Sequence, residues 1–315
     1  MIIKRTHGFK KPPATARYST ATEWGNSRWT CLRACYRRYY LIYILGLEPV
    51  RPRRGLDRGT ATHAGWEAFH RGKSRSQVLE IVEAAAIERD ARDQAIRMID
   101  WYMDVYPKSA VRLINGAEVH HRAEFDVTIG NRRVIVPLTT RYDLLGVPRG
   151  ENEVRWVDLK TQGSFKADRL LRYLADPQLM QGVAIWDEAG CPNGIRSGKS
   201  YKIPKHLTPQ IFVIYEKSKG EIGMRTVDVY VTEWQVKSIV QSRAFEAAFV
   251  LPALQECYGI DEPWPHEWGA CFNQYGACEF YDYCHTNGAA RDMYYRKEDH
   301  KPLLLDAATE VKRES

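Results

Sequence analysis

The sequence predicts one α/β core with a mixed sheet and a helical cap at its N-terminal end. The first observation is that residues 21–45 carry apolar and aromatic side chains every three to five positions, which is typical of a helix. Residues 60–70 and 74–106 extend this pattern into a second helix and a long third one. The second observation is a change of character near residue 117, where short segments rich in β-branched and aromatic residues alternate with turn residues.

The elements after this change do not follow a simple repeat of strand and helix. Gly130-Asn131 favours a hairpin between two strands. Asp176 and Pro177 predict a helix start, with Asp as the N-cap and Pro at the first helical position, and this helix should end near residue 187. The predicted strands are 117–129, 132–138, 141–147, 154–160, 210–216 and 225–231, and a last helix spans 232–257.

The length of 315 residues predicts one large domain between two polar ends. A cap, a core and a cysteine-rich closing segment follow one another within that domain. The predicted boundaries are a flexible tail over 1–20, a domain over 21–290 and a charged tail over 291–315, with the cap over 21–110, the core over 111–260 and the closure over 265–285.

The composition excludes several classes of protein. Hydrophobic residues make up 44% and charged residues 27% of the chain, which excludes collagen-like, low-complexity and wholly disordered proteins. No apolar run approaches the roughly 18 residues that a membrane helix needs. The first twenty residues are basic and polar, without the apolar region of a secretory signal. We therefore expect no membrane association and a reducing cytoplasm as the compartment.

A basic and aromatic segment near the N-terminus predicts a partner rich in phosphate. The chain carries a net charge of +7, and the segment 28–58 alone carries +6 from eight arginines against Glu48 and Asp57. Arginines interleaved with tyrosines suit a surface that neutralises phosphates and stacks bases. The alternative is a solvated basic helix whose tyrosines face the core. The predicted DNA-binding residues are Arg33, Arg37, Arg38, Tyr39, Arg53 and Arg54.

Seven cysteines predict a metal site rather than disulfides. The odd count argues against a disulfide framework. Cys271, Cys278 and Cys284 lie within fourteen residues, and thiolates this close in a reducing compartment indicate a metal ion or an iron–sulfur cluster. The fourth ligand should come from Cys31 or Cys35, which would close a loop of about 240 residues. The alternative is a set of buried free thiols.

Two strands each carry an acid among apolar residues. Asp158 and Lys160 lie two positions apart, so both should project from the same face of their strand. Asp143 occupies a similar position in the preceding strand. If these strands are neighbours, the two carboxylates can converge on one hard divalent cation, with Lys160 beside it. The alternative is a structural ion pair.

Three further side chains lie where they could join this site. His63 opens a helix between small residues, with Glu67 one turn later on the same face. Gln178, just inside the helix start at Pro177, could reach the same end of the sheet. Glu118 is another acid in a strand, for which we prefer a structural role.

In their order, these residues resemble the RecB-like branch of the PD-(D/E)XK nucleases. That branch includes the AddB-type helicase-nucleases, the CRISPR spacer-acquisition nuclease and many phage exonucleases, and the resemblance spans about residues 24–284. The similar motifs are the run from Cys35 to Leu47, Gly59 with His63 and Glu67, Arg141-Tyr-Asp143, Asp158-Leu-Lys160-Thr161, Gln178, and Cys271 with Cys278 and Cys284.

The resemblance implies a fold and a set of roles. The fold would be a restriction-endonuclease-like mixed central sheet flanked by helices, with the N-terminal cap tied to the C-terminal segment by a cysteine-ligated cluster. Mg²⁺ or Mn²⁺ would be bound by His63, Asp143, Asp158 and the backbone carbonyl of Leu159. Lys160 would orient the attacking water, and Gln178 would position Lys160 or the substrate. A 4Fe-4S cluster would be held by Cys35, Cys271, Cys278 and Cys284.

The resemblance also implies an activity and partners. The activity would be cleavage of DNA, most simply by an exonuclease on single strands or duplex ends in a prokaryotic or phage-infected cell. A different class of function is a non-catalytic iron–sulfur module that binds nucleic acid beside a partner helicase or recombinase. Because the chain has no P-loop, any helicase activity would belong to a partner. Two further alternatives stay open, namely structural Zn²⁺ instead of iron–sulfur and Cys31 instead of Cys35.

Overall fold

The computed structural model describes most of the chain between Gly25 and Arg296. The predicted tail over 1–20 and Arg53 lie outside the described residues, as does most of the predicted tail over 291–315. The described residues are 25–50, 54–106, 110–163, 171–192, 195–198, 200–217, 219–259, 262–273, 276–286, 288–296 and 312–313.

Short helical pieces begin the described chain. Helix α1 is followed at Cys35 by the short helix α2, because Cys35 is extended and its side chain accepts a hydrogen bond from the Arg38 backbone N–H. A π-helical turn then leads into a short strand. The bounds are α1 Asn26–Ala34, α2 Tyr36–Tyr39, the π-helical turn Tyr40–Ile44 and β1 Leu47–Pro49.

Three longer helices follow, α3 Arg54–His70, α4 Arg75–Ala85 and α5 Arg89–Val105. Ser74 begins α4 with a capping box that includes Gln77. The predicted single helix over 74–106 is wrong, since the chain turns between α4 and α5. The carboxylate of Asp57 accepts the backbone N–H groups of Ile87 and Glu88, so a contact from α3 satisfies the amides that would otherwise continue the helix.

The strands form a mixed sheet, as predicted. Strand β3 pairs antiparallel with β4, β4 pairs parallel with β5, and β5 pairs antiparallel with β6. Strand β2 pairs with β3, and the two-residue strand β10 pairs with the other end of β3. The bounds are β2 Val111–Ile129, β3 Arg132–Pro148, β4 Arg155–Gln162, β5 Pro209–Glu216, β6 Ile222–Asp228 and β10 Lys312–Arg313.

Strands β2 to β5 are longer than predicted, and β6 has the predicted length but begins three residues earlier. The predicted strands 132–138 and 141–147 are one continuous strand, because Thr139 and Thr140 keep the extended conformation between them. Helix α6, Pro177–Ala189, begins at the predicted N-cap, where the Asp176 side chain accepts the N–H of Gln178 at 2.8 Å.

The C-terminal part contains a helix with a π-helical turn and a set of short elements. Residues Glu233–Phe245 form α7, Glu246–Val250 the π-helical turn and Leu251–Tyr258 α8, so the predicted helix over 232–257 is interrupted near Pro252, which lacks an amide hydrogen. The remaining elements are β7 Phe272–Asn273, β8 Gly276–Ala277, α9 Tyr281–His285 and β9 Tyr294–Arg296, which pairs with β1.

Contacts between Cα atoms divide the chain into two compact units. The first comprises residues 1–51, 124–137 and 240–315, and the second comprises residues 52–123 and 138–239. In the second unit one apolar core lies between the sheet and helices α3–α5 and includes Val157 and Leu159. A second core lies between the sheet and α6 and includes Trp156 and Trp186. This unit is therefore a sheet covered by helices on both faces.

Glycines allow two of these helices to pack closely. A Cβ atom at Gly65 of α3 would lie 2.3 Å from Cγ2 of Val82 in α4. A Cβ atom at Gly182 of α6 would lie 2.3 Å from the Trp156 ring in β4. Both positions therefore exclude a larger side chain and fix the distance of each helix from its neighbour. Among the described helices, none is long and apolar enough to cross a membrane.

Candidate active site

Asp143 and Asp158 lie where strands β3 and β4 begin to separate. The antiparallel pairing of these strands runs from Gly146 with Arg155 to Leu144 with Val157. Asp143 and Asp158 are the next residues on each strand, so the register places them opposite each other. Both are almost completely buried, at 5% and 0% exposure. The convergence of the two acids depended on these strands being neighbours; they are paired, and the two acids lie at one edge of the paired region.

Asp143 is held by groups from two other elements. Its Oδ2 accepts the backbone N–H of Leu159 at 3.0 Å and lies 3.3 Å from Nδ1 of His63 on α3. The His63 ring also bonds to the backbone of Leu159. Burial lowers the pKa of His63, and Lys160 lowers it further against the opposing effect of Asp143. A neutral imidazole is the form that binds a metal ion.

Asp158 and Lys160 form a second pair at the same edge. Lys160 Nζ lies 2.8 Å from Oδ2 of Asp158 and donates to Oε1 of Gln178 at 3.4 Å. Gln178 reaches this position because it lies in the first turn of α6. Both carboxylate oxygens of Asp158 are buried; Oδ2 is contacted by the Lys160 ammonium group, while Oδ1 has no hydrogen-bond partner among the described residues. A buried carboxylate oxygen without a hydrogen bond is costly unless a cation compensates it.

The pKa values of Asp158 and Lys160 depend on each other and on the nearby acids. Burial raises the pKa of Asp158, and Asp143 raises it further, while Lys160 opposes both. Burial alone would lower the pKa of Lys160, but the carboxylates of Asp158, Asp143 and Asp176 outweigh it and raise that pKa. Lys160 therefore stays an ammonium group among three acids, and the site as a whole attracts positive charge.

Glu118 also belongs to the site, although the sequence favoured a structural role. Single ligand atoms of Glu118, His63 and Asp143 all lie within 4.8 Å of one another. The backbone of Glu118 has a φ of 56°, a left-handed conformation that a residue other than glycine adopts at a cost of about 1–3 kcal/mol. Glu118 also pairs with Arg141 at 2.6 Å, so the structural interpretation has support too.

The donor set fits a divalent cation. Carboxylate oxygens, a neutral imidazole and a backbone carbonyl are the ligands that Mg²⁺ and Mn²⁺ accept in proteins. Asp158 is not part of the close group of three formed by Glu118, His63 and Asp143. Its carboxylate, with Oδ1 lacking a hydrogen-bond partner among the described residues, nevertheless lies near enough for Asp143 to raise the pKa of Asp158.

A comparison with protein families matches the sequence of this chain to a known model. The model of the PD-(D/E)XK nuclease superfamily covers residues 23–285. The chain belongs to this superfamily. A comparison with curated proteins finds no significant match. Membership confirms the predicted superfamily and, with the mixed sheet flanked by helices, the α/β part of the predicted fold. PD-(D/E)XK domains are metal-dependent nucleases, which implies DNA as the substrate.

Four of the cysteines of this PD-(D/E)XK protein surround one cavity. A small, partly open cavity is lined by Cys35, Cys271, Cys278 and Cys284. Cys31 does not line it; burial raises the pKa of this thiol to about 12. Among the described residues, no three cysteine sulfurs lie within 4.8 Å of one another. The four described cysteines therefore line one cavity, but their sulfur atoms are not clustered within 4.8 Å of one another.

The predicted DNA-binding residues differ in how accessible they are to DNA. Tyr39 is fully buried, stacks on Trp264 and binds Arg28 through its hydroxyl group, so the prediction that Tyr39 contacts DNA is wrong. Its helical spacing turns it toward the core. Arg33 pairs with Glu246 and Arg38 pairs with Glu279.

Arg37 is partly exposed and forms a hydrogen bond to Cys284. Only the backbone of Arg54 is described, at the start of α3, and Arg53 lies outside the described residues.

Proposed function

We propose that this protein is a metal-dependent deoxyribonuclease of the RecB-like branch that acts as an exonuclease on single strands or duplex ends. The observation that carries the proposal is the buried Asp158 carboxylate, whose Oδ1 has no hydrogen-bond partner among the described residues, beside Asp143 and His63. Lys160 compensates only one oxygen of this acid, and the remaining negative charge of the two buried carboxylates supports a cation site there.

Each residue of the site has a proposed role in hydrolysis. His63, Asp143, Asp158 and the carbonyl of Leu159 are the proposed ligands of Mg²⁺ or Mn²⁺. When bound, the ion lowers the pKa of water and stabilises charge on the scissile phosphate. The Leu159 N–H holds Asp143 in position.

Lys160, kept protonated by its acidic neighbours, binds the attacking water and offsets the charge that develops on phosphate oxygens. Gln178 holds the end of Lys160.

The RecB-like assignment within the superfamily is supported by the positions of its motif residues. His63 on α3, Asp143 on β3, Asp158 and Lys160 on β4, and Gln178 on α6 occur in the order of that branch and meet at one edge of the sheet. The assignment brings with it an exonuclease role in phage or prokaryotic recombination or repair, with a helicase or recombinase as partner.

We further propose that Cys35, Cys271, Cys278 and Cys284 hold a 4Fe-4S cluster. A single Zn²⁺ would bring its four sulfurs to about 3.8 Å from one another, given Zn–S bonds of about 2.3 Å. A cluster spaces the sulfurs further apart, because each thiolate binds a different iron. Four thiols around one cavity match the four ligands that such a cluster needs. An anaerobic preparation should be brown and contain iron; a colourless one with stoichiometric zinc would overturn this part of the proposal.

The nuclease proposal is tested with Asp158→Asn and Lys160→Met. Each should lower Mn²⁺-dependent cleavage of DNA by more than about a hundredfold. Asp158→Asn removes the negative charge that would bind the metal ion, and Lys160→Met removes the positive charge that would offset charge on the phosphate. Asp187→Asn is the matched control, since Asp187 is a partly buried acid that pairs with His206 away from the motif residues. Strands labelled at the 5′ or 3′ end distinguish exonuclease products from internal cuts.

Two outcomes would contradict the proposal. Full activity in Asp158→Asn would remove this carboxylate from the reaction. Wild-type protein that binds DNA without shortening it, in Mg²⁺ and in Mn²⁺, would instead favour the non-catalytic binding module.

A further inference from the structure

Five aromatic and imidazole rings form a continuous row beside the cysteine cavity. We call this row the aromatic ladder, and its members in spatial order are Phe272, Tyr281, His285, Trp268 and His266. The successive ring centroids are 4.9, 3.9, 5.2 and 4.1 Å apart. All five belong to the first compact unit.

Three rings of the aromatic ladder are exposed to solvent, and the other two are partly buried. The exposed fraction is 63% for Trp268 and 62% for Phe272, and His285 is exposed as well. Large apolar rings in such numbers on a surface are unusual in a protein without a binding partner. The rings of a fold's core normally pack inward, as Tyr39 and Trp264 do in this same unit.

The cysteine segment holds the aromatic ladder in place. Phe272 directly follows Cys271, and His285 directly follows Cys284. Tyr281 and His266 themselves line the cavity between the cysteines. The backbone N–H of Cys278 bonds to the carbonyl of Cys271, and that of Cys284 bonds to the carbonyl of Phe280. The rings are therefore displayed by a short, internally hydrogen-bonded segment rather than by loose loops.

The charges near the aromatic ladder are mixed. Arg37 interacts electrostatically with His266 and bonds to Cys284, so one cation borders the row. Glu267 and Asp282 are exposed acids of the same segment. Phosphate attraction alone would not select this surface. Its ligand must instead offer flat, uncharged faces to the rings, with negative charge limited to the side of Arg37.

We propose that the aromatic ladder binds single-stranded DNA by stacking bases on its exposed rings, with Arg37 contacting the backbone. Every base has a π-face, so such a surface is tolerant of sequence. A duplex keeps its base faces inside the helix and cannot use the rings in this way. The inference rests on the proposed function, since it gives that nuclease a place to hold the strand it degrades. It replaces the predicted role of Tyr39, whose ring is buried.

The test measures binding of fluorescein-labelled oligothymidylate by fluorescence anisotropy in an Asp158→Asn background, without added divalent metal. Trp268→Ala and Phe272→Ala should each raise Kd by at least about fivefold, the loss expected for one stacked base. Trp268→Phe keeps a ring and should stay within about twofold of the parent. Trp234→Ala is the matched control, because Trp234 is 75% exposed and is not a member of the ladder.

Two further readouts separate stacking from charge. An abasic strand of equal length keeps the phosphates but has no bases, so Trp268→Ala should not weaken its binding. The salt dependence of binding should be the same in Trp268→Ala and its parent, whereas Arg37→Ala should lower the slope by about one.

Wild-type affinity for oligothymidylate in both ring variants would overturn the inference. So would an equal loss on the abasic strand, or a loss on duplex alone. An aromatic ladder that serves a protein partner would give the first of these results. Because binding is read without hydrolysis, the test stands even if the nuclease proposal fails.

Discussion

The Asp158 carboxylate is buried among apolar residues, which makes its negative charge costly. Its neighbours Val157 and Leu159 pack into the core beneath α3–α5, and Trp156 packs into the core beneath α6. A carboxylate in this position has no water to solvate it, and burial raises its pKa. Ion pairing of Oδ2 with Lys160 compensates only part of this cost, because Oδ1 is buried without a hydrogen-bond partner among the described residues.

A substitution of Glu118 tests whether this residue takes part in metal binding. Glu118→Gln keeps the shape of the side chain but removes the charge next to His63 and Asp143. If Glu118 is a ligand or holds one, the Mn²⁺ concentration for half-maximal cleavage should rise by at least about tenfold. Titration of DNA cleavage with Mn²⁺ measures this. Glu151→Gln is the control, since Glu151 also pairs with an arginine, Arg155. An unchanged Mn²⁺ requirement would leave Glu118 as a partner of Arg141 only.

His70 predicts a pH dependence of stability. It contacts Trp66 and Tyr102, and burial lowers its pKa to about 3, against about 6.5 in an unfolded chain. Between these values the unfolded chain binds a proton that the folded protein does not, so the folded state loses stability as the pH falls. For His70 this loss is about 2 kcal/mol between about pH 8 and pH 5.

Denaturation of His70→Phe by urea at the two pH values measures the contribution of His70. The variant should lose less stability on acidification than the wild type by that amount. His120→Phe, at an exposed histidine, should behave as the wild type does. An unchanged pH dependence in His70→Phe would show that His70 does not cause it.

At the scale of elements, two close approaches decide where the site residues lie. Gly65 lets α3 contact α4, and Gly182 lets α6 contact β4. Because His63 is on α3 and Gln178 is on α6, these helix positions determine which side chains reach Asp143 and Lys160. The hydroxyl group of Tyr142 on β3 donates to the carbonyl of Gly182 and adds to the attachment of α6.

Gly182→Ala should therefore affect both stability and catalysis. The new methyl group would overlap the Trp156 ring and cost about 1–3 kcal/mol in the free energy of unfolding. Displacement of α6 should also lengthen the contact from Gln178 to Lys160 and lower the rate of cleavage. Urea denaturation and a cleavage assay measure the two effects. Gly55→Ala in α3 is the control, as nothing lies within 4 Å of its Cβ, and it should be neutral or stabilising.

At the scale of the whole molecule, the four cysteines around the cavity come from segments about 240 residues apart in sequence. A metal group bound there would close this long loop and restrict the unfolded chain. The positive segment 28–58 lies near one end of this loop, yet part of its charge is neutralised by Glu246 and Glu279. Phosphate attraction by that segment is thus weaker than its composition suggests.

If the proposed cluster is bound, Cys35→Ala should remove it and lower Tm by at least about 4 °C. Elemental analysis for iron and zinc, together with a thermal melt, measures both effects. Cys257→Ala is the control, because Cys257 is exposed and does not line the cavity. If Cys35→Ala keeps its full metal content and Cys31→Ala loses it, the fourth ligand is Cys31 and not Cys35.

Much of the fold and site followed from the sequence because the signals are local. The alternation around Asp158 predicted β4 and its two faces, Asp176-Pro177 predicted the start of α6, and the motif order predicted the superfamily that the family model matches. Each of these signals depends on which residues lie a few positions apart in the sequence. They can therefore be recognised without knowing how the rest of the chain folds.

Other features were decided by contacts between distant segments. The turn before α5 depends on Asp57, thirty residues earlier, and Tyr39 faces Trp264 rather than solvent. Glu118 joins His63 and Asp143 only because β2, β3 and α3 meet, and the aromatic ladder exists only because two parts of the C-terminal segment fold together. Residue types and spacing determined the chemistry available to this chain, whereas the burial and proximity that make it usable required the tertiary structure.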